Sequence, residues 1–295
     1  MPARSEPAMS TIPSEAEAIT SRPLGRPTTM SVMEIAEGYA PVNGVDMYWR
    51  SLGEGDPLIV VHGGFGVVDM FGDLLTTLAT ERRVVAVELQ GHGHTRDIDR
   101  PFSFEAFADD LAALVAHLGL EQADLLGYSL GAGACLRAAL SHPERVRRLA
   151  LVSGPCRRDG WYPGVLAGMA EVNSGLFEQF RHSPMYAAYA AVAPDLDAYP
   201  ALMDKTGGLL ARPYDWTDEV AAMTVPTLLV YGDADSVPPS HAADFFAHLG
   251  GGLQDAGWDG AQRPASQLAI LPGRTHYDIF TAPELAPVVA QFLRG

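Results

Sequence analysis

Residues 127–131 read Gly-Tyr-Ser-Leu-Gly, a serine with glycine two positions away on each side. A strand-like run at 123–126, Ala-Asp-Leu-Leu, leads in, and the small residues from Gly131 to Cys135 lead out. A chain that passes directly from a strand into a helix strains the residue at the bend and throws its side chain outward, so the neighbours two positions away must be small. Gly127 and Gly131 meet that demand, and Ser129 is the expected nucleophile. The plainer alternative is a serine that merely caps the helix.

A neutral hydroxyl is a poor nucleophile and needs a base within about 3 Å, itself oriented by an acid. In a strand-turn-helix setting of this kind the acid and then the base follow the serine in chain order. Of nine histidines, only His241, His248 and His276 lie beyond the last acidic strand exit. His241 and His248 fall in a helical stretch, SHAADFFAHLG, and read as surface or packed residues. His276 sits in LAILPGRTHYDIF, just past an apolar run and a Pro-Gly turn, where a loop can aim its imidazole at Ser129. For the acid, LLVYGDADSVPP offers two carboxylates. Asp233 directly follows Gly232 and could instead pin the turn through backbone amides. Asp235, deeper in the loop, is preferred, with Asp233 as the alternative.

The elements that must carry these side chains alternate along the chain. PLIVVHGG and RVVAVELQGHG are apolar strands, and runs apolar on both faces suit a parallel sheet covered on each side. SFEAFADDLAALVAHLGL shows helical spacing, with Phe104, Phe107, Leu111, Leu114 and Leu118 on one stripe and Ser103 as cap. VRRLALVSG, VPTLLVYGD and SQLAILPG supply further strands, and Asn43-Gly44 marks a hairpin turn. This order predicts an α/β fold, a mostly parallel doubly wound sheet. The expected organisation is a disordered leader at 1–35, a core at 36–155 and 220–295, and an inserted helical cap at 156–219.

Five pieces together, VVHGGFG, ELQGHGHT, GYSLGAG, GDADSVPP and LPGRTHYDIF, occur in the order of a known superfamily. Over about residues 38–293 the chain resembles the α/β-hydrolase fold superfamily, in its branch of bacterial serine esterases, C–C hydrolases and cofactor-free haloperoxidases. The resemblance implies Ser129 as nucleophile, Asp235 as acid and His276 as base. At VELQGHGHT the family more often has Asp where this chain has Glu88, and Ser where it has Thr95; neither is in the triad. Haloalkane dehalogenases and epoxide hydrolases of this fold use an aspartate at the elbow, so Ser129 argues for acyl chemistry instead. His92 and His94 lack a third ligand at metal spacing and read as loop-packing residues, and His62 reads as a structural hydrogen-bonding residue.

Acyl transfer also requires two preorganised amides for the oxyanion. Leu130, after the nucleophile and at a helix amino end, is one. Gly64, in His62-Gly63-Gly64-Phe65, is the expected second, with Phe65 as fallback. Tyr128 and Phe65 flank the site. The cap sequences RDGWYPGVLAGMAEV and SPMYAAYAAV add Trp161, Tyr162, Met169, Met185, Tyr186 and Tyr189 as pocket walls or plain helix core. Few basic residues fall in this segment, which favours a small, largely neutral apolar substrate.

Lys and Arg number 20 against 36 Asp and Glu, a formal net charge of −16. So acidic a surface repels phosphate backbones and anionic lipid, and the expected partner is a small-molecule substrate, with no nucleic acid and no membrane; a homodimer stays open. With 47% apolar and 19% charged residues the chain has the balance of a compact enzyme. Cys135 and Cys156 have neither disulfide-framework nor metal spacing, which fits a cytoplasmic protein. No metal or cofactor is expected. The function expected is hydrolysis of a carboxylic ester or lactone through an acyl-enzyme. The alternatives are a haloperoxidase or perhydrolase, a C–C bond hydrolase, or a non-catalytic ligand-binding protein on the same fold.

Overall fold

The computed structural model describes residues 35–295. The leader expected at 1–35 lies outside the described residues except for its last position.

Eight strands form one sheet in the order β1-β2-β4-β3-β5-β6-β7-β8. β1 (Ile35–Val42) and β2 (Val45–Leu52) are an antiparallel hairpin. Asn43 and Gly44 close it at φ +47° and +87°, the pair of positive angles that a primed two-residue turn demands. β2 pairs antiparallel with β4 (Arg83–Val87), and from there the sheet is parallel through β3 (Pro57–Val61), β5 (Ala123–Tyr128), β6 (Val146–Val152), β7 (Thr227–Ala234) and β8 (Gln267–Thr275).

Both faces are buried, as the unbroken apolar runs require. Ile59, Val61, Val85, Leu125, Leu149, Leu151 and Leu229 face α2 (Phe104–His117) and α3 (Leu130–Ser141). The alternate residues Leu58, Val60, Val84, Leu126, Val152 and Val230 share the other core with α1 (Asp73–Leu78) and α10 (Leu285–Arg294). Each such aliphatic side chain contributes about 1.5–3 kcal/mol on burial. Ser103 Oγ accepts the Ala106 amide at 3.0 Å, capping α2 where the sequence expects it.

Between β6 and β7 the chain runs through α4 (Pro163–Ala170), α5 (Phe177–Phe180), α6 (Pro184–Val192), α7 (Tyr199–Leu210) and α8 (Thr217–Ala222). Lys205 on α7 ties this segment to the loop after β4, donating to Asp97 Oδ2 and the Ile98 carbonyl at 2.6 Å each. After β7 come α9 (Pro239–His248), β8 and α10. At the amino edge of the sheet, buried Asp124 is held by Arg82 and Arg147 at 2.8 Å each, a structural clamp far along β5 from the bend.

Candidate active site

The bend at the carboxyl end of β5 is set by backbone crowding. Ser129 has φ +54° and ψ −114°, a conformation that costs an ordinary residue about 1–3 kcal/mol. Its amide donates to the Val152 carbonyl on β6 at 2.9 Å, which fixes the bend against the neighbouring strand. A Cβ on Gly127 would lie 2.3 Å from the Gly131 carbonyl oxygen, and one on Gly131 would lie 2.4 Å from that of His62. Both fences are therefore compulsory, and the second one locks α3 onto the loop after β3.

Ser129 Oγ lies 3.0 Å from His276 Nε2, and His276 Nδ1 lies 2.9 Å from Asp235 Oδ1. Because a carboxylate only accepts, Nδ1 carries the proton facing it, and Nε2 is left as the acceptor for the serine hydroxyl. His276 is 8% and Asp235 5% exposed. Asp235 is the terminus of a small network: Ser153 Oγ and the Gly232 amide donate to Oδ2, while the Ser236 amide donates to Oδ1 at 2.7 Å. Burial alone would raise its carboxyl, but the bonds and charge of His276, with those of Ser153 and Gly232, outweigh this and hold it below its usual range. Such a line can pass a proton from hydroxyl to imidazole while the carboxylate stays ionised.

Asp233, the alternative acid, is exposed, and its Oδ1 accepts the Gly273 amide at 2.8 Å. It braces the β7–β8 ends and makes no hydrogen bond to the imidazole.

Gly64 sits against Leu130, close enough that a Cβ on it would meet Leu130 Cδ1 at 3.6 Å. Neither the Gly64 nor the Leu130 amide donates to an acceptor among the described residues, and Leu130 opens α3, where the helix dipole favours negative charge. Phe65, at φ +60°, turns its ring toward Phe180 and Tyr199. His62 supports the loop from beneath: Nδ1 donates to the Gly63 carbonyl at 2.7 Å, and Nε2 accepts the Leu89 amide at 3.1 Å. Burial holds its pKa down to about 3, so it stays neutral and structural.

Two cavities flank this rim. The tighter one, about 30 Å³, is lined by Ser129, Leu130, Arg158, Trp161, Met169 and Tyr214 among others. The larger one, about 290 Å³, lies between the Gly63-Gly64 loop, Tyr128, Met185, Tyr277 and Phe280. Of the aromatic and methionine residues expected in the walls, the structure thus brings Trp161, Met169, Tyr128 and Met185 to the site. Trp161 stands edge-on to the His276 ring at 5.4 Å. Tyr186 and Tyr189 pack around Tyr199 at 4.9 Å each, away from both cavities, and Tyr162 is 44% exposed.

Three further histidines serve the scaffold. His92 is buried beside His62, and burial lowers its pKa to about 4. His94 stacks on Tyr48, and its bond to Glu88 raises its pKa. Glu88, 1% exposed, also accepts the Val68 and His94 amides. Its longer side chain fills the space under Gly93, where a Cβ would lie 2.3 Å from Oε2. Thr95 links the Glu88 carbonyl to the Tyr48 amide. His241 packs near Cys156, lowered to about 4 by burial. No cluster of three or more metal-ligating side chains occurs among the described residues, and none of their helices is long and apolar enough to cross a membrane.

Sequence reasoning missed Ser153, which grips Asp235, and Arg158, which lines the tighter cavity; it placed Tyr128 at the site but not as the donor of its hydroxyl to the His276 carbonyl at 2.6 Å. Ser153 stands directly at the carboxyl end of an apolar parallel strand, which is the signal that could have found it.

The alpha/beta hydrolase fold family matches residues 56–282. Pimeloyl-(acyl-carrier protein) methyl ester esterase of Yersinia pseudotuberculosis serotype O:1b is 30% identical, with 83% of this chain and 96% of that protein covered. The protein of that name from Aeromonas hydrophila is 34% identical over 63% of this chain and 80% of its own length. Among solved structures, a carboxylesterase from Bacillus subtilis is similar with a TM-score of 0.67 at 21% identity, covering 88% of this chain and 92% of that one. The chain belongs to the α/β-hydrolase fold family, in its carboxylic ester hydrolase class.

Proposed function

We propose that Ser129, His276 and Asp235 hydrolyse a carboxylic ester or lactone through an acyl-enzyme. The single observation that carries this reading is the hydrogen-bonded line, 3.0 Å from Ser129 Oγ to His276 Nε2 and 2.9 Å from Nδ1 to Asp235. Ser129 Oγ attacks the carbonyl carbon while its proton passes to Nε2. The oxyanion forms between the Gly64 and Leu130 amides, each such donor being worth about 3 kcal/mol of barrier. His276 then protonates the leaving alcohol, the carbonyl reforms, and Ser129 carries the acyl group. Water, deprotonated by the same imidazole, repeats the sequence and releases the acid. Asp235 holds the ring and faces the imidazolium throughout. None of these steps calls for a metal or a cofactor.

The largely apolar part of a small substrate finds room in the cavity of about 290 Å³ beside Tyr128 and Met185. The names of the relatives make methyl esters of acyl chains the first class to assay. Burial of both thiols, Cys135 and Cys156, supports a cytoplasmic setting in which neither needs a partner.

A fluorophosphonate tests the reading. The wild-type protein gains one adduct, mapped to Ser129, and loses esterase activity with it. Full turnover of p-nitrophenyl butyrate by Ser129→Ala sinks the proposal. Peroxide-dependent halogenation without ester cleavage would move the protein to the haloperoxidase alternative.

A further inference from the structure

The tighter cavity carries one charge. Its wall is otherwise Phe104, Leu130, Gly133, Pro155, Trp161, Met169, Leu210 and Tyr214 around Ser129, with no carboxylate among them, and Arg158 completes it. Arg158 forms no ion pair among the described residues, although the residue before it, Arg157, is paired with both Asp159 and Asp244. Of the five N–H donors of a guanidinium, only Nε is engaged, donating to the Leu210 carbonyl at 2.9 Å. That bond fixes the plane of the group and leaves its outer fork open. A cation facing an apolar cavity without a counter-charge is unfavourable, and a fork of this shape matches a carboxylate with two parallel bonds.

The His276 ring touches a wall of each cavity, Trp161 of the tighter at 5.4 Å and Tyr128 of the larger at 5.3 Å. Ser129 and Leu130, the nucleophile and one oxyanion amide, line the tighter cavity and not the larger, so an acyl portion bound there lies beside Arg158. With about 30 Å³ there against about 290 Å³ in the other, the tighter cavity favours the shorter portion of an ester.

We infer that Arg158 recognises a free carboxylate at the end of a short acyl chain, so that the preferred substrates are half-esters of short dicarboxylic acids. This deepens the esterase reading and rests on it. It also departs from the neutral substrate expected from the sequence, because one arginine placed in the site outweighs the scarcity of basic residues around it.

The test compares monobutyl succinate with its neutral isostere, butyl 4-methylpentanoate, at equal alcohol. The wild-type enzyme is expected to favour the half-ester, and Arg158→Met to lower the ratio of the two kcat/KM values about 10- to 100-fold, as loss of a charge-assisted bond implies. Arg158→Lys recovers part of the ratio through its charge alone. A wild-type enzyme with no preference, or an Arg158→Met variant that loses both substrates in proportion, overturns the inference. Fluorophosphonate labelling of each variant keeps the two claims apart. Labelling at Ser129 with an unchanged ratio removes only Arg158 from its role, whereas failure of the wild type to label removes the esterase mechanism itself.

Discussion

Replacing Ser153 should weaken the site without touching any group that meets the substrate. Ser153 is fully buried at the end of β6, and its hydroxyl donates to Asp235 Oδ2. In Ser153→Ala, Oδ2 keeps the Gly232 amide at 3.1 Å, and Oδ1 keeps His276 at 2.9 Å and the Ser236 amide at 2.7 Å. One bond to a charged acceptor is therefore lost from a carboxylate that retains its others, at a cost of about 1.5 kcal/mol, the lower end for such bonds. If that loss reaches the transition state, kcat/KM falls about tenfold. The pH profile should move as well. The hydroxyl stabilises the ionised form, so its removal raises the Asp235 carboxyl. The ionised form is then lost at a higher pH on acidification, and the acid limb of activity shifts upward. Ser153 itself has φ +56°. Ser153→Gly relaxes that backbone while removing the same hydroxyl, and it should show the same shift. Hydrolysis of p-nitrophenyl butyrate as a function of pH, with thermal melting to verify folding, measures both variants. An unchanged rate and an unmoved acid limb in the two would refute the reasoning.

Asp235→Asn should lower kcat by about four orders of magnitude through loss of the imidazole's orientation. Asp233→Asn should stay within about threefold, since a single exposed brace is at stake; kinetics in the reverse order would exchange their roles. Gly131→Ala sets a Cβ 2.4 Å from the His62 carbonyl and 2.5 Å from that of Val61, both backbone atoms, so about 3 kcal/mol or more is expected as a fall in Tm of about 6 °C or more. A melting temperature within about 1 °C of wild type would show that the loop yields.

The bend around Ser129 was legible because a steric demand writes itself into residue type: only glycine fits at 127 and 131. The hairpin at Asn43-Gly44 and the Ser103 cap were readable for the same local reason. Glu88 was visible only as a departure from the family pattern, and its meaning needed three dimensions, since its partners Val68 and His94 reach it from two different loops. The aromatic residues after β6 were the least legible. Trp161 and Tyr189 are equally apolar in sequence, yet one faces His276 and the other Tyr199. Which aromatic side chain meets a cavity is decided by packing partners far along the chain. Arg158 escaped notice for a related reason: composition counts charges, while a site depends on where one of them points.

The bond from Tyr128 to the His276 carbonyl reaches across two strands, because β6 and β7 lie between the strand that ends in the elbow and the strand that precedes the imidazole. The phenol ties the elbow directly to the residue that carries the ring, without passing through the two strands between them.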